Sequence, residues 1–135
     1  MKLTQEDKKL IETAREIISK RKTQRLPSRH TKMTTVGCAL VTKKGNIYTG
    51  VNIETRSAPC SICAEYAAIS SMYSSGEKNI KTIVSVHGEG NIIHPCGQCR
   101  EFMFEVSDKN KEIEIIINNK EKIKLKDLLP EPWQS

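Results

Sequence analysis

Two short segments, Cys63-Ala64-Glu65 and Pro95-Cys96-Gly97-Gln98-Cys99, decide how this chain is read. They hold three thiols and a carboxylate, and about thirty residues separate them. Thiolates at this spacing suit a zinc ion. Cys96 and Cys99 are three apart, so on the first turn of a helix they share one face. Cys63 supplies a third ligand from a second helix. Three protein ligands leave one tetrahedral position open, the arrangement of a catalytic rather than a structural zinc. Glu65 lies two residues beyond a ligand, close enough to serve that position as a proton carrier. Zinc lowers the pKa of a bound water from about 15.7 to about 7, which makes a nucleophile available at neutral pH.

The same spacing admits a second reading. Cys60 precedes Cys63 by three, so Cys60-x-x-Cys63 and Cys96-x-x-Cys99 also form a closed four-thiolate structural set. A non-catalytic, zinc-stabilised nucleic-acid-binding module would use such a set. Two features favour the open site. Glu65 is a carboxylate that a structural knuckle does not need, and Pro95 fits just ahead of a helix whose N-terminus presents backbone donors to thiolates.

The chain of 135 residues is read as one domain spanning residues 1–135. A domain of this size buries roughly two thirds of its unfolded surface, so no disulfide staple is required. The five cysteines are odd in number, and residues 1–10 carry no apolar leader. No apolar run approaches the roughly 18 residues of a membrane span. The expectation is a cytoplasmic protein whose thiols are ligands or core packing. The net charge is +6, with much of the excess in Lys20, Arg21, Lys22, Arg25, Arg29 and Lys32. This run contains no aromatic side chain on which bases could stack, so it is read as a solvated loop and a nucleic-acid partner is not expected.

Along the chain, Thr4-Gln5-Glu6-Asp7 resembles a capping box, and Leu10, Ile11, Ala14, Ile17 and Ile18 follow helical spacing. Residues 36–42 and 47–53 read as a hairpin turned by Lys43-Lys44-Gly45-Asn46. Gly37 marks a bulge or a close approach. A helix is expected from near Ser61, closed by Gly76. A β-branched strand follows over 82–86, then a third helix from Cys96 to about Val106. Ile113 to Ile117 is a strand, 123–125 a short extended segment, and Asp127 starts a terminal helical turn. Strands separated by helices predict a mixed sheet with helices on both faces, and the two ligand-bearing helices start at the same end of it.

These residues resemble the cytidine deaminase superfamily, in its small free-nucleoside branch where the first zinc ligand is Cys. The likeness runs through Val36-Gly37, Thr49-Gly50-Val51-Asn52-Ile53-Glu54, Cys63-Ala64-Glu65, Pro95-Cys96-Gly97-Gln98-Cys99-Arg100 and Asp127-Leu128-Leu129-Pro130. It implies a three-layer α/β/α sandwich with a mixed five-stranded sheet, usually a homotetramer. It also implies one zinc per subunit on Cys63, Cys96 and Cys99, with Glu65 as catalytic acid and base. Asn52 and Glu54 would meet the ribose hydroxyls. The implied reaction is hydrolytic deamination of cytidine or deoxycytidine, as in pyrimidine salvage, and blasticidin-S deaminase is the neighbouring subfamily. Three positions depart from the usual pattern: Thr55 stands for a second Asn, Thr34 for a Phe, and Tyr66 for an Arg that offsets thiolate charge. Arg100 is then a nearby candidate cation. Cys38 is expected in the core, His87 and His94 in ordinary polar roles, and Trp133 either as an exposed tail residue or as a lid from a neighbouring subunit.

Overall fold

The structure is a computed structural model, and it describes residues 1–20, 35–55 and 57–134. Apart from Lys20, the basic run and Thr34 lie outside the described residues. The first helix, α1 (Gln5–Ser19), starts as its sequence dictates. The Thr4 hydroxyl accepts from the Asp7 N–H at 3.2 Å, and the Asp7 carboxylate accepts from the Thr4 N–H at 2.8 Å. Next come β1 (Val36–Thr42), β2 (Ile47–Val51), α2 (Ala64–Ser74), β3 (Ile80–His87), β4 (Ile92–Ile93) and α3 (Gly97–Val106). The chain continues with β5 (Glu114–Ile116), β6 (Lys122–Lys124) and a single turn, α4 (Leu125–Leu128).

The sheet runs β2-β1-β3-β5-β6. β1 is antiparallel to both β2 and β3, β3 is parallel to β5, and β5 is antiparallel to β6. The mixed sheet is therefore as expected on its five-strand path. A sixth strand, β4, pairs with the end of β3 through Ile93–Ser85 and Ile92–Val86. Residues 92–94 carry no strand signal of their own in the sequence. Two residues are too short a run for a periodic signal, and only the antiparallel return beside β3 makes them a strand.

Alternation along the strands separates two cores. On one face Ala39, Val84, Val86 and Ile116 pack under Leu10, Ile11 and Ala14 of α1. On the other, Cys38, Leu40, Ile83 and Ile115 pack under Ala68, Ile69 and Met72 of α2 and Met103 of α3. The result is the three-layer α/β/α sandwich. Two glycines set how closely the helices approach. A Cβ on Gly37 would fall 2.6 Å from the Ala14 carbonyl oxygen, so Gly37 serves a close approach of α1 and not a bulge. A Cβ on Gly50 would fall 2.7 Å from the Ala64 carbonyl oxygen, so Gly50 lets the first turn of α2 settle on β2.

α2 ends with Gly76 at φ +91, where Gly76 N–H bonds to the Tyr73 carbonyl and Glu77 N–H to that of Met72. The Glu77 carboxylate then accepts from Asn46 Nδ2 at 2.9 Å and from Tyr48 Oη at 2.8 Å, tying the hairpin to the helix end. At the other edge Lys122 is buried between Asp7 at 2.9 Å and Glu114 at 2.6 Å. Both ends of the helix–sheet sandwich are thus fixed by polar groups that leave the apolar layers undisturbed.

Candidate metal centre and active-site cleft

β2 and β3 both run antiparallel to β1, so α2 and α3 begin at the same end of the sheet. Both ligand-bearing helices start slightly later than the sequence suggested. Cys63 is the N-cap of α2 (φ −70, ψ 152) and Cys96 the N-cap of α3 (φ −68, ψ 167). Residues 58–60 form a separate 3-10 turn, with Pro59 inside it, which is why the α-helix does not extend back to Ser61. An N-cap thiol sits beside the unpaired backbone N–H groups of the first turn, a position that favours negative charge. Cys99 follows on the first turn of α3 and is fully buried.

The sulfurs of Cys63, Cys96 and Cys99 lie within 4.8 Å of one another. Cys60 is exposed and stands outside this group. The closed four-thiolate reading is therefore corrected: the 3-10 turn points the chain elsewhere, and three thiols converge. Cys38 lies in the sheet core, as expected.

Glu65 joins the group from the first turn of α2, with only 4% of its surface exposed. The Cys99 thiol donates to Glu65 Oε2 at 3.4 Å, and the Ser85 hydroxyl donates to Oε1 at 2.5 Å. Ser85 escaped the sequence reading because it looks like an ordinary small residue in an apolar strand. The only signal was its place on the same strand face as Ile83.

Electrostatics decide what this set can hold. Burial pushes the Cys99 thiol far above the ordinary thiol range, and the charge of Glu65 pushes it further. Burial also raises Cys63; a hydrogen bond from Cys99 opposes this, while the charges of Cys96 and Glu65 add to it. Three sulfurs this close beside a buried carboxylate repel one another's ionisation. A dication between them removes that penalty, and soft thiolates in a set of three fit zinc with a position to spare.

The cleft in front of the group measures about 380 Å³ and is lined by Asn52, Glu54, Ile53, Ile62, His94 and Gln98 as well as Cys63, Glu65 and Cys96. Asn52 is buried, and its side-chain oxygen accepts from the Val36 N–H at 2.9 Å, which holds the loop after β2. Structure thus brings together all six residues singled out for the site, Cys99 as the third sulfur behind the wall. It adds His94, which sequence reasoning had assigned an ordinary polar role. A larger cavity of about 490 Å³, between Phe104, Leu125 and Pro132, has one carboxylate, Asp108, and no thiol in its lining. Chemistry, not size, identifies the smaller one.

Arg100 does not face the sulfurs. Its Nε donates to the Pro95 carbonyl at 2.9 Å and its Nη1 to the Leu128 carbonyl at 3.3 Å. The expectation that it offsets thiolate charge is corrected: the guanidinium is spent on fixing the loop that carries Cys96. Tyr66 stacks on Phe102, with ring centroids 4.0 Å apart and planes 4° from parallel, so the two ligand-bearing helices are braced against each other. Burial raises the Tyr66 phenol, a hydrogen bond with Gln98 opposes this, and the three thiols raise it further, which puts the ring in the field of the metal group. His87 ends β3, paired with Val36. Trp133 lies 77% exposed on the surface, its N–H held by Glu101 Oε1 at 2.6 Å.

Comparison with known proteins agrees with this geometry. The family described as the cytidine and deoxycytidylate deaminase zinc-binding region matches residues 4–114. A cytidine deaminase of Mycobacterium tuberculosis is 32% identical over 98 residues, 73% of this chain and 71% of that protein. A blasticidin-S deaminase of Bacillus cereus is 38% identical over 76 residues, 50% of this chain and 54% of that protein. Among solved structures, the Mycobacterium tuberculosis cytidine deaminase superposes with a TM-score of 0.80 at 26% identity, covering 95% of this chain and 97% of the other. That from Burkholderia pseudomallei gives 0.77 at 28% identity, covering 97% and 100%. Fold, thiol group and matched residues coincide, and the chain belongs to the cytidine and deoxycytidylate deaminase family of zinc-dependent hydrolytic deaminases.

Proposed function

We propose that the protein removes the exocyclic amino group of a free cytosine nucleoside, converting cytidine or deoxycytidine and water to uridine or deoxyuridine and ammonia. The observation that carries this reading is the buried Glu65 carboxylate in contact with a three-sulfur group at the floor of a nucleoside-sized cleft. Cys63, Cys96 and Cys99 would hold the zinc, which supplies a water of pKa about 7 in place of about 15.7.

Glu65 would take a proton from the attacking water and deliver it to N3 of the ring as the C4–oxygen bond forms. It then passes the second proton to the leaving amine as the C4–nitrogen bond breaks, so one carboxylate serves as base and then acid. The N-termini of α2 and α3 offset the surplus negative charge that three thiolates leave on a dication. Asn52 and Glu54, on the loop after β2, are the residues for the ribose hydroxyls. Ile53 and Ile62, joined by a backbone bridge at the rim of the cleft, offer apolar cover to the ring.

The finer reading is that the chain acts as one domain in a homotetramer, in the cytoplasm, within pyrimidine salvage. Exposed Tyr73 beside Phe102 and Val106 supports a subunit contact on the α2–α3 face. Five free thiols support a reducing compartment. Among the described residues no helix is long and apolar enough to cross a membrane. The match to a blasticidin-S deaminase favours a second reading, in which a modified cytosine nucleoside is the substrate. Ammonia release from cytidine, deoxycytidine and blasticidin S tests the choice. Turnover of the first two is the expected result; activity confined to blasticidin S supports the second reading, and no release from any of them overturns both.

A further inference from the structure

We propose that Ser85 is a positioning residue for the proton carrier: it holds the Glu65 carboxylate so that Oε2 stays turned toward the metal group. This rests on the reading of Glu65 given above.

Three observations carry it. Both partners are buried, Ser85 at 3% and Glu65 at 4% exposure, and their oxygens are 2.5 Å apart. An ionised carboxylate can only accept, so the Ser85 hydroxyl must donate, which fixes the direction of the bond. Ser85 is itself held. It lies within β3, directly opposite Cys38 of β1. The donor therefore sits on a strand paired on both sides, with Cys38 of β1 and Ile93 of β4, while the carboxylate hangs from the first turn of a helix.

The need for such a donor follows from the other half of the carboxylate. The final torsion of a Glu side chain is broad and weakly restrained by its own covalent structure. Two donors restrain it here: Ser85 on Oε1 and the Cys99 thiol on Oε2. A cysteine that becomes a metal ligand gives up its proton. With its sulfur committed to the metal, Cys99 no longer donates, and among the described residues the Ser85 hydroxyl on Oε1 is the side-chain donor left to the carboxylate. In the loaded enzyme the orientation of Glu65 then depends on Ser85. A partner one step removed from a metal group typically matters by about 10- to 100-fold.

The test uses the full-length, zinc-loaded protein with Ser85→Ala and Glu65→Gln, alone and together. Ser85→Ala should keep its zinc and its melting temperature, leave KM for cytidine little changed, and lower kcat by about 10- to 100-fold. Affinity for a nucleoside whose C4 carries a hydroxyl on a tetrahedral carbon, a mimic of the water adduct, should fall by a similar factor. In the Glu65→Gln background Ser85→Ala should have almost no further effect on that affinity, because the group being positioned has been replaced. Should Ser85→Ala unfold, Ser85→Cys keeps the volume with a weaker donor, and its kcat should fall below wild type at unchanged zinc content. The inference is overturned if these Ser85 variants turn over normally while Glu65→Gln is dead, or if the loss in analogue affinity is the same in both backgrounds. An active Glu65→Gln would overturn the reading of Glu65 itself, and this inference with it.

Discussion

The Cys99 sulfur lies 3.4 Å from Glu65 Oε2 with its hydrogen directed at the carboxylate. One proton therefore stands between the sulfur group and the proton carrier, and binding of a metal must displace it. Burial and the neighbouring negative charges hold Cys99 protonated well beyond neutral pH in the metal-free protein. Zinc uptake should accordingly release protons, and apparent zinc affinity should rise with pH between 6 and 8. Calorimetric zinc titrations in buffers of differing ionisation enthalpy measure this. A proton count of zero would mean that the thiols are already ionised.

The convergence of three sulfurs without Cys60 makes a second prediction. Cys60→Ala should retain one zinc per chain and its activity, since Cys60 lies exposed outside the group. Cys96→Ala should lose bound zinc on dialysis against a chelator that leaves the wild type loaded. Metal analysis of the two variants decides the matter, and loss of zinc from Cys60→Ala would restore the four-thiolate site.

Arg100 gives a third. Its two hydrogen bonds clamp the Pro95 carbonyl, next to Cys96, to the end of α4. Charged donors to buried carbonyls contribute about 1.5–3 kcal/mol each at most. Arg100→Ala should lower stability by about 1–3 kcal/mol and weaken zinc binding, because the N-cap of α3 loses its brace. Arg100→Lys should rescue little of this, since one ammonium does not reproduce the two-armed geometry. Denaturant titration with parallel zinc competition is the measurement.

A fourth concerns pH and the opposite edge of the sheet. Burial works against an ionised Asp7, but the Thr4 N–H bond and the Lys122 ammonium outweigh it and hold the carboxyl below the usual range. A carboxyl depressed in the folded state stabilises it above the unfolded pKa, near 4, and that stability is lost as pH falls through the lower folded value. Asp7→Asn should cost about 1–3 kcal/mol at pH 7 and cost less in acid. Urea midpoints at pH 7 and pH 3 for both proteins test the sign; an equal difference at the two pH values would contradict it.

Much of this was legible in the sequence where the cause is local. Thr4 and Asp7 announce their cap, Gly76 its left-handed stop, and the cysteine spacing its three-ligand site. The misreadings share a different origin. Arg100 was assigned to the sulfurs because they are its neighbours in sequence, yet its direction is set by the carbonyl of Leu128, 28 residues away. Ser85 carries no mark in an apolar strand, and its meaning appears only when α2 lays Glu65 across β3. Gly50 could be seen as a family position, but its steric reason needs the Ala64 backbone above it. Local capping and ligand spacing survive in one dimension, whereas the partner of a buried polar group depends on which layers meet.

The most direct test of the central claim is a paired measurement on Glu65→Gln: zinc content and rate of cytidine deamination, beside the wild type with and without its metal. The account predicts one zinc per chain in the variant and in the loaded wild type. It also predicts that deamination falls at least about 100-fold in the variant and is lost on metal removal. A variant that turns over cytidine at the wild-type rate, or a metal-free protein as active as the loaded one, would contradict it.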